Sequence, residues 1–153
     1  RSLKHMLMLK RDAKRATSLL PFNNYNMTSF IIGLSVTAAI IAFAEVFRKI
    51  DLKFFASLSL AVIPFIYIGF SIDPFDLMLT IPAASLFLMF AYWGYKKNYL
   101  LIVVGLALHG LWDFVFPHVS TVAPHGYDVF CITIDVLLAL YFYLKLKPIR
   151  TQP

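Results

Sequence analysis

The sequence has almost no cysteine and few charged residues, and each shortage excludes a class of function. Cys131 is the only cysteine in 153 residues. A single thiol cannot form an intrachain disulfide, a CxxC redox pair or a cysteine-based zinc site. Charged residues make up 14% of the chain, whereas a soluble domain carries about 25%. Because 60% of the residues are hydrophobic, we predict a single integral membrane domain.

The positive net charge does not indicate nucleic-acid binding. The net charge is +6, but the basic residues fall in short clusters between apolar segments. Such clusters are typical of membrane topology signals and of contacts with lipid headgroups. The predicted partner is therefore the lipid bilayer, with no nucleic acid. A lipid-like small molecule and membrane protein partners are further candidates.

Five apolar segments are each close to the length of about 20 residues that crosses a bilayer. They are Thr28–Phe47, Phe54–Phe70, Leu77–Tyr95, Tyr99–Phe116 and Val129–Leu144. The links between them are mostly short, which favours antiparallel neighbours. We therefore predict an all-α fold, a polytopic bundle of five transmembrane helices at residues 28–147, followed by a tail at 148–153. Pro64 and Pro82 are predicted to kink the second and third helices.

Residues 1–27 differ from the rest of the chain because they carry six Lys or Arg and one Asp. They fit an interfacial amphipathic helix, a targeting remnant or a non-native extension. The loops after the first and third segments and the tail hold eight Lys or Arg, whereas the other two loops hold none. The positive-inside rule places the basic loops in the cytoplasm, although the basic residues at 1–27 favour the opposite orientation.

The fourth segment contains the sequence HGLWD, which puts a histidine and a carboxylate on one face of a helix. An aspartate at the bilayer centre costs roughly 2.5–3.5 kcal/mol on insertion scales, so His109 and Asp113 require a partner or a function. Asp135 occupies a matching position in the fifth segment. Counting from the shared loop at 1.5 Å per residue, His109 and Asp135 both lie roughly 10 Å below the same membrane surface.

These side chains predict a polar site between the fourth and fifth helices. Imidazole and carboxylate groups bind Zn or non-haem Fe, and three ligands with an open position can activate water. His109, Asp113 and Asp135 are therefore candidate catalytic residues and, with His118, candidate ligands of a divalent metal, Zn or Fe. Without metal, the same groups could act as a general acid–base pair or a proton relay. A hydrogen bond that only joins the two helices is the alternative.

Trp112 and Glu45 are candidate ligand-binding residues outside this group. Trp112 precedes Asp113 and could instead be an anchor at the membrane interface. Glu45 lies near the opposite membrane surface, where it could bind a ligand at a second polar site. Arg48 and Lys49 follow it at spacings of three and four residues, so a surface ion pair is the alternative.

Two stretches, HGLWDFVFPH and PHGYDVFCITIDVLLALYFY, resemble a small integral-membrane family of unknown function. Its pattern is His-x-x-Trp-Asp, a later His, a Pro-containing loop and Cys-x-x-x-Asp. The corresponding residues here are His109, Trp112, Asp113, His118, Cys131 and Asp135. The resemblance implies a membrane-embedded fold over roughly residues 28–143 and implies no activity.

The predicted function is that of a small membrane protein with a His/Asp site near the non-cytoplasmic ends of its fourth and fifth helices. The chemistry expected there is metal-assisted hydrolysis or acid–base catalysis on a lipid-like substrate. One alternative is a non-catalytic accessory subunit of a larger membrane complex. Another is a small transporter or proton-coupled carrier, against which the absence of an inverted sequence repeat counts.

Overall fold

The computed structural model describes residues 24–47, 51–120 and 122–149, and the described residues contain helices and no strand. The six helices are α1 (Asn24–Val46), α2 (Leu52–Val62), α3 (Phe65–Phe70), α4 (Pro74–Lys96), α5 (Leu100–Val119) and α6 (Tyr127–Ile149). The basic segment predicted at 1–27 lies outside the described residues except for its last four, which begin α1. Arg48, Lys49 and residues 150–153 also lie outside them.

Among the described residues, five stretches of helix are long and apolar enough to cross a membrane, as the sequence predicts. They are α1, the combined α2 and α3 (Leu52–Phe70), α4, α5 and the part of α6 at Tyr127–Lys145. The prediction of an all-α five-helix bundle is therefore confirmed. The stretches differ in burial: 44% of the most apolar part of α5 is buried in the bundle, compared with 11% of that of α1. Consequently α5 is the central helix, and α1 is a peripheral helix that packs on α6.

Local sequence explains where several helices begin and end. Asp51 and Asp73 precede α2 and α4, and each side chain accepts a hydrogen bond from a backbone N–H of the first turn. Pro64 divides the second membrane-length stretch, since it cannot donate the hydrogen bond that would continue α2. The short helix α3 follows from this break. In contrast, α4 continues as helix through Pro82.

The two ends of the bundle differ in charge. At one end, the Lys53 ammonium lies 5.8 Å from the centre of the Tyr95 ring, and Lys145 forms an ion pair with Glu45. At the opposite end, the Ser120 hydroxyl donates a hydrogen bond of 2.6 Å to the Asp76 carboxylate, which joins the start of α4 to the end of α5. The basic loops therefore share one end of an antiparallel bundle, as the positive-inside argument requires.

Gly33 controls how closely α1 approaches α6. A Cβ atom at this position would lie 3.0 Å from the Phe130 carbonyl oxygen and 3.1 Å from the Thr133 Cβ. We expect Gly33→Leu to destabilise the protein by about 1–3 kcal/mol through overpacking. The check is the unfolding midpoint in detergent, with Gly69→Leu as the control because a Cβ there meets nothing within 4 Å. Equal effects of the two substitutions would contradict this account of the α1–α6 contact.

Candidate polar site between α5 and α6

Two helices bring three polar side chains together in the interior of the bundle. His109 and Asp113 lie one turn apart on the buried face of α5, and Asp135 lies on the facing side of α6. Gly110 lies where the two helices meet, and a Cβ added to it would lie 3.4 Å from the Asp135 Cβ, an ordinary van der Waals distance. The predicted juxtaposition of His109, Asp113 and Asp135 is therefore present in the structure.

The contacts of His109 organise the group. Its Nδ1 lies 2.7 Å from Asp135 Oδ2 and 3.3 Å from Asp113 Oδ2. An ionised Asp135 accepts the hydrogen bond from Nδ1–H, and this carboxylate fixes the orientation of the imidazole. The side chains of His109, Asp113 and Asp135 are 1%, 0% and 0% exposed. The group thus has an ordered geometry and no direct contact with the surroundings of the bundle.

Some polar atoms of the group have no hydrogen-bond partner among the described residues. They are His109 Nε2 and Asp135 Oδ1, whereas the Asp113 carboxylate lies beside the Tyr67 hydroxyl and 3.3 Å from His109 Nδ1. A buried polar atom without a partner costs free energy, and an unneutralised carboxylate costs more. The group consequently has more acceptor capacity than the protein contacts use.

The group lies deeper than the sequence predicts. The end of α5 extends to Val119 and α6 begins at Tyr127, so both helices are longer on this side than the predicted segments. At 1.5 Å per residue, His109 and Asp135 lie roughly 15 and 12 Å from these helix ends. The two residues still match in depth, but they are close to the middle of the bundle.

Aromatic rings enclose the group on the sides facing α3 and α4. The Phe87 ring packs edge-on against the His109 imidazole with centroids 4.8 Å apart. Tyr67 on α3 lies 6.3 Å from the imidazole by the same measure and packs edge-on against Phe116 at 4.8 Å. These rings make that side of the group apolar, which strengthens the electrostatic interactions inside it.

Tyr67 and Cys131 belong to the surroundings of the group. The Tyr67 hydroxyl is buried beside the Asp113 carboxylate, with which it interacts. The buried Cys131 thiol also lies within the field of Asp113. Sequence reasoning missed Tyr67 as a member of the site. Its position was a usable signal, since Tyr67 lies three residues before the end of its apolar segment, on the same side of the bundle as the α5–α6 loop.

The other candidate residues lie outside this group. His118 is exposed, and its Nδ1 lies 3.1 Å from the Phe114 carbonyl oxygen on its own helix. Trp112 is half-buried and packs on Phe116, with ring centroids 5.5 Å apart. Glu45 is at the other end of the bundle, where it pairs with Lys145 and accepts a hydrogen bond of 2.9 Å from the Tyr141 hydroxyl.

The donor set fits a divalent metal ion. His109, Asp113 and Asp135 each offer one ligand atom, and these atoms lie within 4.8 Å of one another. One imidazole nitrogen with two carboxylate oxygens suits Zn²⁺ and Fe²⁺, and three protein ligands leave a position open for water or substrate. A metal bound here would replace the proton shared by His109 and Asp135.

The described part of the protein thus consists of helices, with five stretches of membrane-crossing length and a buried His/Asp group in the interior of the bundle. The family model of DUF6010, a family of unknown function, matches residues 28–147. This chain belongs to that family. The matched residues coincide with the predicted five-helix domain, and membership agrees with the resemblance to an uncharacterised family. Comparisons with curated proteins and with solved structures find no match.

Proposed function

We propose that this protein is an integral membrane metalloprotein in which His109, Asp113 and Asp135 bind one divalent cation, Zn²⁺ or Fe²⁺. The bound metal activates water for the hydrolysis of a lipid-like substrate. One observation carries the proposal: the Asp113 carboxylate is fully buried beside His109, yet the short hydrogen bond of His109, 2.7 Å long, goes to Asp135, and Asp113 Oδ2 is left with a longer contact of 3.3 Å to the same nitrogen.

Charge balance favours a metal over a purely structural role. A hydrogen bond that holds α5 against α6 requires only His109 and Asp135, which lie 2.7 Å apart. Asp113 adds a second carboxylate that this bond does not need. Two ionised carboxylates beside one imidazole leave excess negative charge whether or not the imidazole holds its proton, and excess charge is costly to bury without compensation. A divalent cation neutralises both carboxylates.

The proposed chemistry follows from the open coordination position. A metal held by three ligands lowers the pKa of bound water and polarises the substrate carbonyl. Water adds to the carbonyl carbon of an ester, the bond to the leaving alcohol oxygen breaks, and the proton of the water passes to that oxygen. Because the group lies near mid-depth in helices of membrane-crossing length, the substrate reaches it laterally from the bilayer. In the orientation that the basic loops favour, Asp113 is on the non-cytoplasmic side of the middle of α5.

The His109–Asp135 contact favours one second candidate, acid–base catalysis without metal. Asp135 holds Nδ1, while Nε2 has no hydrogen-bond partner among the described residues. A histidine oriented by a carboxylate can exchange a proton with substrate through its other nitrogen. This candidate predicts that the purified protein takes up no metal, so the same experiment separates it from the metal site.

Metal analysis of purified protein tests the proposal. We expect about one Zn or Fe ion per chain in the wild-type protein, measured by elemental mass spectrometry after purification in detergent. We expect His109→Ala to lower the bound metal at least about tenfold, since loss of even an outer partner of a ligand has this effect. His118→Ala is the matched control and should retain the metal. A wild-type protein that stays metal-free after exposure to both ions would overturn the proposal, as would full retention of metal by His109→Ala.

A further inference from the structure

A groove on the outer surface of the bundle runs between α4 and α5. It has a volume of about 280 Å³, and it is lined by apolar and aromatic side chains: Leu86, Phe87, Leu108, Leu111, Trp112 and Val115. The lining residues of α5 extend from one residue before His109 to two residues after Asp113. The groove therefore lies at the same depth as the buried His/Asp group.

Phe87 connects the groove to this group. Its ring lines the groove, is itself 4% exposed and packs edge-on against the imidazole of His109 at a centroid distance of 4.8 Å. Phe87 thus contacts both the groove and the His109 imidazole. Trp112, which also lines the groove, is adjacent in sequence to Asp113.

We propose that this groove binds a single acyl chain, with the hydrocarbon against Phe87 and Trp112. That the acyl chain is part of a substrate rests on the proposed function. That the groove binds an acyl chain does not rest on the proposed function. Trp112 then has the ligand-binding role that the sequence suggests, through its apolar ring. Phe87 is a positioning residue, because it lies between the bound chain and His109.

Surroundings and shape both favour a hydrocarbon chain as the occupant. Leu86, Leu111 and Val115 are 51%, 57% and 45% exposed, and they belong to helices that are apolar enough to cross a membrane. Lipid tails are the medium around such helices. A helix of another protein would need small residues for a close approach, whereas this groove is lined by large branched and aromatic side chains. A thin flexible chain fits between them.

Photo-crosslinking tests the groove directly. The protein is reconstituted in phosphatidylcholine vesicles that contain a trace of a phosphatidylcholine with a diazirine on one acyl chain, and the labelled residues are mapped by mass spectrometry. We expect labelling to concentrate on the residues that line the groove. Leu111→Trp, which fills the groove, should lower this labelling at least about tenfold. Leu140→Trp is the matched control, because Leu140 is similarly exposed at 52% on α6, and it should leave the labelling unchanged.

Further outcomes keep the two proposals distinct. Val115→Trp fills the groove from another position and should reproduce the loss if Leu111→Trp fails to fold. Even labelling of all outward faces, or crosslinks to a second copy of the protein in place of lipid, would overturn the acyl-chain site. Metal content should be unchanged in Leu111→Trp. Groove labelling in a protein that binds no metal would support the acyl-chain site and overturn only the proposed metal function.

Discussion

Replacing Asp135 by alanine should destabilise the metal-free protein by about 3–5 kcal/mol, the cost expected when one partner of a buried ion pair is removed. The side chain is 0% exposed and accepts the 2.7 Å hydrogen bond from His109. Its removal takes away the shorter carboxylate contact of His109 Nδ1 and leaves the longer one, 3.3 Å to Asp113. The measurement is the free energy of unfolding in detergent, followed by tryptophan fluorescence after treatment with a chelator.

Asp128→Ala is the control for this substitution, because Asp128 lies in the first turn of the same helix and is only partly buried. Loss of its interaction with the helix dipole should cost only about 0.3–1 kcal/mol. A destabilisation by Asp135→Ala as small as that of Asp128→Ala would show that the His109–Asp135 contact contributes little to the metal-free fold.

Replacing His109, Asp113 and Asp135 together distinguishes their contribution to stability from their proposed role in metal binding. Exchanging a whole buried ionic group for apolar residues is often neutral or stabilising, by about 1–4 kcal/mol. The triple substitution His109→Leu, Asp113→Leu and Asp135→Leu should therefore recover most of the stability that Asp135→Ala loses, yet bind no metal. A protein that folds without these three residues would argue that they are present for chemistry.

Hydropathy and helix geometry predict the bundle and the core of the site. Apolar length identifies the five helical stretches, and a fixed rise per residue places His109 and Asp135 at a common depth on either side of one loop. Helical period also accounts for the position of His118. Nine residues separate it from His109, about two and a half turns, so the two histidines project from opposite faces of α5.

Hydropathy and helix geometry did not predict contacts between helices that are distant in sequence. The ring of Phe87 packs against His109 from α4, and the Tyr67 ring lies near it on α3, the short helix that follows Pro64. The spacing of residues along one helix does not determine how that helix is rotated about its axis relative to a neighbouring helix. For the same reason, the sequence did not predict that Glu45 pairs with Lys145, one hundred positions away on α6; its predicted pairing with Arg48 and Lys49 stays a prediction, because those two residues lie outside the described ones.

Asp113→Asn should abolish stabilisation of the protein by added metal. A ligand that binds only the folded state at 100 times its dissociation constant stabilises that state by about 2.7 kcal/mol. We expect this gain for the wild-type protein with Zn²⁺ or Fe²⁺, and none for Asp113→Asn at the same free metal concentration. Asparagine has nearly the shape of aspartate and leaves the His109–Asp135 hydrogen bond in place. The substitution therefore removes a charged ligand with little change in packing, and thermal unfolding with and without metal is the measurement.

The pH dependence of this gain identifies the ligands further. Metal binding requires a deprotonated imidazole nitrogen and ionised carboxylates, so protons are released as the metal binds. The stabilisation by metal should therefore increase as the pH rises and disappear in acid, and Asp128→Asn should follow the wild-type protein throughout. An undiminished metal effect in Asp113→Asn would exclude Asp113 as a ligand. It would leave its buried carboxylate without the cation that charge balance requires, and the proton held between His109 and the two aspartates would then be the remaining means of neutralising the group.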